Sequence, residues 1–137
     1  MGVIEYTYDG SFPEAIKAGV DDLYDAADKK ERCDDWVVAF SKDATVWKNE
    51  SPATGHEAIK KYIIGTWNNT ESRIHYVKSV TAVSQNPLKL SISGITTYVR
   101  SDGRNEKGEW TAEQSYVEED GEPKISEYKI KFAFVPI

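Results

Sequence analysis

Ile125-Ser126-Glu127-Tyr128-Lys129-Ile130-Lys131-Phe132-Ala133-Phe134-Val135 is the stretch whose reading decides the fold. Tyr128, Ile130, Phe132 and Phe134 alternate with Glu127, Lys129 and Lys131. A period of two turns one face of a strand inward and leaves the other to water. Upstream, Glu119-Asp120-Gly121 is a turn signal. Folding the chain back across it sets Gln114 opposite Tyr128, Ala112 opposite Ile130 and Trp110 opposite Phe132. The same construction across the preceding loop, taken as Ser101-Asp102-Gly103-Arg104 through Gly108, brings Tyr98 near Trp110 and Thr96 near Ala112. Strands are thus predicted over residues 73–83, 88–100, 110–117 and 125–135, with Asn86-Pro87 breaking the first from the second. Three successive hairpins make an antiparallel meander long enough to twist and curl. Its inner face mixes aromatics with Thr96 and Gln114, polar groups that must each find a hydrogen bond if buried. That mixture points to a cavity.

Before residue 73 the periodicity is helical. Ser11-Phe12-Pro13-Glu14 has the form of a capping box, and Ile16, Val20, Leu23, Tyr24 and Ala27 follow as one apolar stripe. Lys29-Lys30 suits the end of that helix. Cys33, Trp36, Val37 and Phe40 recur at helical spacing and predict a second, shorter helix. A short strand over 44–48 follows, with Val46 on one face and Trp47 on the other. Thr54-Gly55-His56-Glu57 reads as a second capping box, opening a third helix with Ile59, Tyr62, Ile63 and Trp67 as its apolar side. Helices first and sheet after is the α+β pattern. At 137 residues, 1–137 is read as a single domain.

A net charge of −6, with no run of Lys/Arg longer than two, disfavours nucleic acid and anionic membrane surfaces as partners. A single cysteine, Cys33, forbids an internal disulfide and suits a reducing compartment. No apolar run is long enough to span a bilayer, and Met1-Gly2-Val3-Ile4-Glu5-Tyr6 lacks the features of a signal peptide. The expectation is a cytoplasmic protein. Cys33, His56 and His75 are each isolated, so no metal-ligand spacing is present. With neither a Gly-rich phosphate loop nor a nucleophile elbow, no cofactor is expected.

Several motifs in order carry a resemblance. They are Leu23-Tyr24-Asp25-Ala26-Ala27-Asp28, Phe40-Ser41-Lys42-Asp43-Ala44-Thr45-Val46, Gly55-His56-Glu57-Ala58-Ile59, Trp67, Arg73-Ile74-His75, Gly94-Ile95-Thr96-Thr97-Tyr98, and Asp120-Gly121 before Ile125-Ser126-Glu127-Tyr128. Together they resemble the SnoaL-like polyketide cyclase branch of the nuclear transport factor 2-like superfamily, in particular its small fungal members. The resemblance implies a cone: three N-terminal helices packed on a curved antiparallel sheet that encloses a pocket. It further implies a cofactor-independent isomerase, cyclase or dehydratase acting on a small hydrophobic ligand of polyketide or terpenoid type, and a homodimer formed through the outer sheet face, where Ile95 and Val99 lie. The aspartate base of those cyclases would fall near Ala133, where no acid stands. Scytalone dehydratase pairs a tyrosine and aspartate with two histidines; His75 matches the first histidine, the second would fall near Thr96, and Glu31 is a loose substitute for the aspartate. The alternative implied by these gaps is a non-catalytic dimeric domain of the same fold that binds a small molecule or a protein.

His75 is the first candidate, because an imidazole titrates near neutrality and this one lies on an inward strand position beside Thr96. Asp28, one turn beyond Tyr24, is the second, either orienting His75 or acting as base itself. Tyr24, Trp47, Tyr62, Trp67, Thr96, Tyr98, Trp110, Gln114 and Tyr128 are the candidate pocket wall, with Gln114 the expected fixed hydrogen-bonding group. His56, in the first turn of the third helix, is expected to be exposed.

Overall fold

The computed structural model describes residues 5–7 and 14–136. The elements run β1 (Glu5–Thr7), α1 (Glu14–Ala27), a 3-10 turn (Lys30–Arg32), α2 (Cys33–Val37), β2 (Phe40–Lys48), β3 (Ser51–Thr54), α3 (His56–Gly65), β4 (Thr70–Gln85), β5 (Leu88–Arg100), β6 (Asn105–Glu119) and β7 (Glu122–Val135). One seven-stranded sheet takes the order β1-β4-β5-β6-β7-β2-β3. The expected meander is its centre: β4 to β7 pair antiparallel in sequence order, while β1 on β4 and β2 on β7 pair parallel. Strands of 13–16 residues coil strongly, and the sheet wraps around its inner face. The helices cover that face. Val20, Leu23, Tyr24 and Ala27 of α1 join Trp36, Ile59 and Ile63 from the other helices against Val80, Leu90, Ile92, Ala112 and Tyr128 in one core.

The β6–β7 register is the one expected, with Gln114 opposite Tyr128, Ala112 opposite Ile130 and Trp110 opposite Phe132. It is set locally. Glu119 pairs with Glu122 across a two-residue loop, Asp120 and Gly121, both at positive φ (54° and 80°), which is the geometry a tight hairpin demands. The β5–β6 register differs from expectation. Gly94, not Tyr98, lies opposite Trp110, and Ile92, not Thr96, lies opposite Ala112. Residues 105–108, read as loop, continue β6, so Val99 pairs with Asn105 and the pairing slides by four residues.

Gly94 and Gly108 are required by this register. A Cβ on Gly94 would collide with the Trp110 ring and lie 2.5 Å from the Tyr76 carbonyl oxygen, and one on Gly108 would meet the Phe132 ring. Gly19, within α1, has open space around it. Urea unfolding is expected to give opposite signs: Gly94→Ala destabilises by about 1–3 kcal/mol through overpacking, and Gly19→Ala stabilises by about 1 kcal/mol through helix propensity.

The N-terminal half departs from expectation in several places. Phe40 does not end the second helix; α2 stops at Val37 and Phe40 opens β2, opposite Ile125. Phe40 is buried in either arrangement, so its apolar character did not discriminate between them. Thr54 does not cap α3. It belongs to β3, an unexpected edge strand, and its hydroxyl bonds that of Thr45 at 3.0 Å. Gly55, at φ 86°, stands at the helix start instead. Trp67 lies beyond the end of α3. His56 is half-buried rather than exposed, with Nε2 2.8 Å from the Phe40 carbonyl oxygen. The capping box at Ser11-Phe12-Pro13-Glu14 falls mainly outside the described residues.

Candidate active site

A cavity of about 100 Å³ opens between α1, α3 and the inner face of the sheet. Its walls include Tyr24, Trp36, Tyr62, Arg73, His75, Thr96, Tyr98, Trp110, Tyr128 and Phe132. Most are placed by alternation. Arg73 and His75 lie two apart on β4, Thr96, Tyr98 and Arg100 two apart on β5, and Tyr128, Ile130, Phe132 and Phe134 two apart on β7. Tyr24 reaches down from the last turn of α1.

His75 and Asp28 meet. Asp28 stands just past α1, and its carboxylate oxygens accept the backbone N–H of His75 at 2.9 and 3.1 Å. Oδ1 also lies 2.6 Å from Nδ1 of the same residue. A carboxylate accepts only, so in the neutral imidazole Nδ1 carries the proton and Nε2 keeps its lone pair. Among the described residues Nε2 has no hydrogen-bond partner, and the ring lines the cavity. Aromatic packing fixes it further: the ring centroid is 5.6 Å from that of Tyr24 and 5.9 Å from that of Trp110, edge-on to the indole. Trp110 is itself held by donating to Thr96 Oγ1 at 2.9 Å and stacks on Tyr24 at 5.2 Å. Burial lowers the His75 pKa below its usual 6.5, opposed by the hydrogen bond and charge of Asp28 and reinforced by the positive charges of Arg73 and Lys48. The imidazole is therefore neutral at pH 7.

Phenols face it. The Tyr24 and Tyr128 hydroxyls share a buried hydrogen bond of 2.6 Å. Burial and mutual repulsion hold the Tyr24 proton tightly, burial does the same for Tyr128, and Tyr62 is pushed up to about 12. All three are protonated hydrogen-bond donors at neutral pH. Gln114 lies behind the pair, fully buried, with Oε1 accepting from Tyr116 at 2.6 Å.

Of the expected wall, Tyr24, Tyr62, Thr96, Tyr98, Trp110 and Tyr128 line the cavity, and Trp47, Trp67 and Gln114 do not. Trp47 neighbours Val46, whose side chain is buried in the core, so alternation sends the indole to the other face. Trp67 stacks beneath the Arg73 guanidinium, 4.1 Å from the ring centroid, and edges a surface groove with Lys30. Gln114, fully buried and bonded to Tyr116, lies opposite Tyr128 and does not reach the cavity. Three cations of the wall, Lys48, Arg73 and Arg100, were missed, although each lies two residues from an inward position: Val46, His75 and Tyr98. Among the described residues no cluster of His, Cys, Asp or Glu could hold a metal ion, and no helix is long and apolar enough to cross a membrane.

Neither protein-family models nor curated protein sequences match this chain. Solved structures do. A protein provisionally assigned as an aromatic ring hydroxylase from Novosphingobium aromaticivorans superposes with a TM-score of 0.79 at 17% identity, covering 88% of this chain and 91% of that one. One provisionally assigned as a scytalone dehydratase from the same organism gives 0.76 at 17%, covering 90% and 87%. A hexachlorocyclohexane dehydrochlorinase, LinA type 3 from Novosphingobium barchaimii, gives 0.70 at 17%, covering 90% of each. The fold is the nuclear transport factor 2-like cone. At these identities the likeness speaks for the backbone alone.

Proposed function

We propose that this chain is a cofactor-independent lyase or isomerase that removes a proton from carbon in a small organic substrate. The single observation that carries the proposal is the His75–Asp28 pair, with Nδ1 held at 2.6 Å by a carboxylate, Nε2 unpartnered among the described residues and the ring lining the cavity. His75 is the base: Nε2 takes the C–H proton, and Asp28 stabilises the imidazolium that forms. One hydroxyl of the Tyr24–Tyr128 pair donates to the other, and the pair's second proton, with that of Tyr62, would donate to the oxygen that gains charge, or to a departing oxygen. In an elimination the C–H electron pair becomes the new double bond, the leaving group departs with its bonding pair, and a tyrosine donates a hydrogen bond to it. In an isomerisation the proton returns to a neighbouring carbon from His75. Dehydratase and dehydrochlorinase names among the structural neighbours agree with elimination. Ring closure, the cyclase chemistry of the SnoaL-like branch, has less support, because Ala133 stands where that branch's acid would be and lies on the outer sheet face. A cavity of about 100 Å³ favours the small end of the expected ligand range.

The test works without identifying the product. Small carbon acids are incubated with the protein in D2O, and deuterium incorporation is followed by NMR. Exchange catalysed by the wild type and lost in His75→Asn supports the proposal; exchange that survives the substitution at full rate overturns it.

The same reading takes the chain as a homodimer. Ile74, Tyr76 and Val99 are exposed on the outer face of β4 and β5, an apolar stripe that a second copy would cover. Sedimentation at micromolar concentration is expected to give twice the 15.4 kDa of one chain. A monomer at all concentrations contradicts it.

A further inference from the structure

The cavity wall carries a charge opposite to that of the protein around it. The whole chain has 23 acidic and 17 basic side chains, yet Lys48, Arg73 and Arg100 line the cavity and no aspartate or glutamate does. Asp28, the nearest carboxylate, lies behind His75 and is occupied by it.

The partners of the three cations differ. Arg100 has a counter-ion in Glu106 and stacks on Tyr98. Arg73 is buried and tied to neutral oxygens, donating from Nε to the Ala27 carbonyl at 2.7 Å and from one Nη to the Thr66 hydroxyl at 2.7 Å. Those bonds hold the helix ends in place and leave its charge uncompensated by contact. Lys48 has less still. Among the described residues it makes no salt bridge and no hydrogen bond, and its Nζ stands 5.0 Å from the centroid of the Phe132 ring. Burial, then Arg73, then Arg100 weaken its hold on its proton. A partly buried ammonium with only an aromatic face for company has given up part of its hydration and gains from an anion that joins it.

Its position is as informative as its isolation. Lys48 ends β2, where it pairs with Ile130 of β7, while His75 stands on β4. The two strands lie on opposite sides of β5, β6 and β7 in the wrapped sheet, so Lys48 and His75 approach the cavity from opposite walls. The Lys48 charge is felt at His75. A molecule lying between them would present its negative end to one and its carbon to the other.

We infer that the cavity takes a small organic monoanion, whose carboxylate or phenolate oxygen is received by Lys48. One uncompensated ammonium fits one negative charge, and the small volume excludes large multiply charged ligands. The inference rests on the proposed site but requires only binding there, not proton transfer.

Isothermal titration with two matched pairs of probes separates charge from shape: acetate against acetamide, and benzoate against benzamide. The wild type is expected to bind a carboxylate ~10–100-fold more tightly than its amide, the scale of a hydrogen bond to a charged group. Lys48→Met, which keeps the length and apolar stem, should reduce that preference to about twofold or less, and Lys48→Arg should restore most of it. His75→Asn should retain the preference, so a failure of the proton-transfer proposal leaves this result standing. Equal binding of acid and amide by the wild type, a preference that survives in Lys48→Met, or no saturable binding of any probe at tens of millimolar overturns the inference. If deuterium exchange persists in that case, only the anion assignment falls.

Discussion

His75→Asn is expected to lower turnover ~10²–10⁴-fold with the fold intact, the range typical of a positioned general base. Asparagine fills much of the same volume and keeps some hydrogen bonding, but it cannot accept a proton near neutral pH. Affinity should change far less than turnover, because the aromatic walls and Lys48 do not depend on the imidazole. The pH profile supplies a second readout. A base acts in its neutral form, and burial places the His75 pKa below 6.5. Turnover in the wild type should therefore rise along an acid limb centred below 6.5 and be level above it. Stability follows the same sign: a folded pKa depressed below the unfolded 6.5 leaves stability full above that value and loses it as pH falls through the folded one. A kinetic profile without that limb, or a variant with full turnover, sinks the assignment. A non-catalytic binder of the same fold would show no turnover for either protein.

Asp28→Asn should lower turnover on a similar scale, about 10²–10⁴-fold, for a different reason. The carboxylate only accepts, and so holds the proton on Nδ1 and the lone pair on Nε2. An amide NH2 in its place donates to Nδ1 and drives the proton to Nε2, aiming the wrong tautomer at the substrate. The hydrogen bond and charge of Asp28 both raise the His75 pKa, so removing them should move the acid limb to lower pH. Loss of rate together with that shift identifies Asp28 as a positioning residue. Loss of rate with an unmoved limb would mean that Asp28 acts on substrate directly. Asp28 also accepts the backbone N–H of His75, so the variant's melting should be followed alongside to separate local misplacement from unfolding.

The aromatic wall was legible residue by residue wherever one strand's alternation was enough. Tyr128 and Phe132 follow from their own strand, and Thr96, Tyr98 and Trp110 from theirs. The same rule applied to 44–48 places Lys48 inside with Val46 and sends Trp47 out. Reading Trp47 into the pocket overrode that rule in favour of aromatic character. Lys48, Arg73 and Arg100 were passed over because charge is ordinarily a mark of the solvent face. Here the mark is reversed, and the inward cations are the signal.

Sequence alone determined that helices precede the long strands, the antiparallel meander and its tight turn at Asp120-Gly121, since alternation and turn preference act over a few residues, while a shift between Ser115 and Tyr116 completes the β6–β7 register. Even the β5–β6 register escaped it, because hydrophilic residues 105–108 read equally as loop or as strand. The pairing of Asp28 with His75 across 47 positions, the burial that keeps His75 neutral, and the meeting of Lys48 with it from the opposite wall belong to the tertiary structure. No local preference encodes them. They exist because a sheet of long strands coils until β2 and β4, separated by β5, β6 and β7 in its order, line one cavity, and only then do residues from β2, β4 and the end of α1 share one dielectric environment.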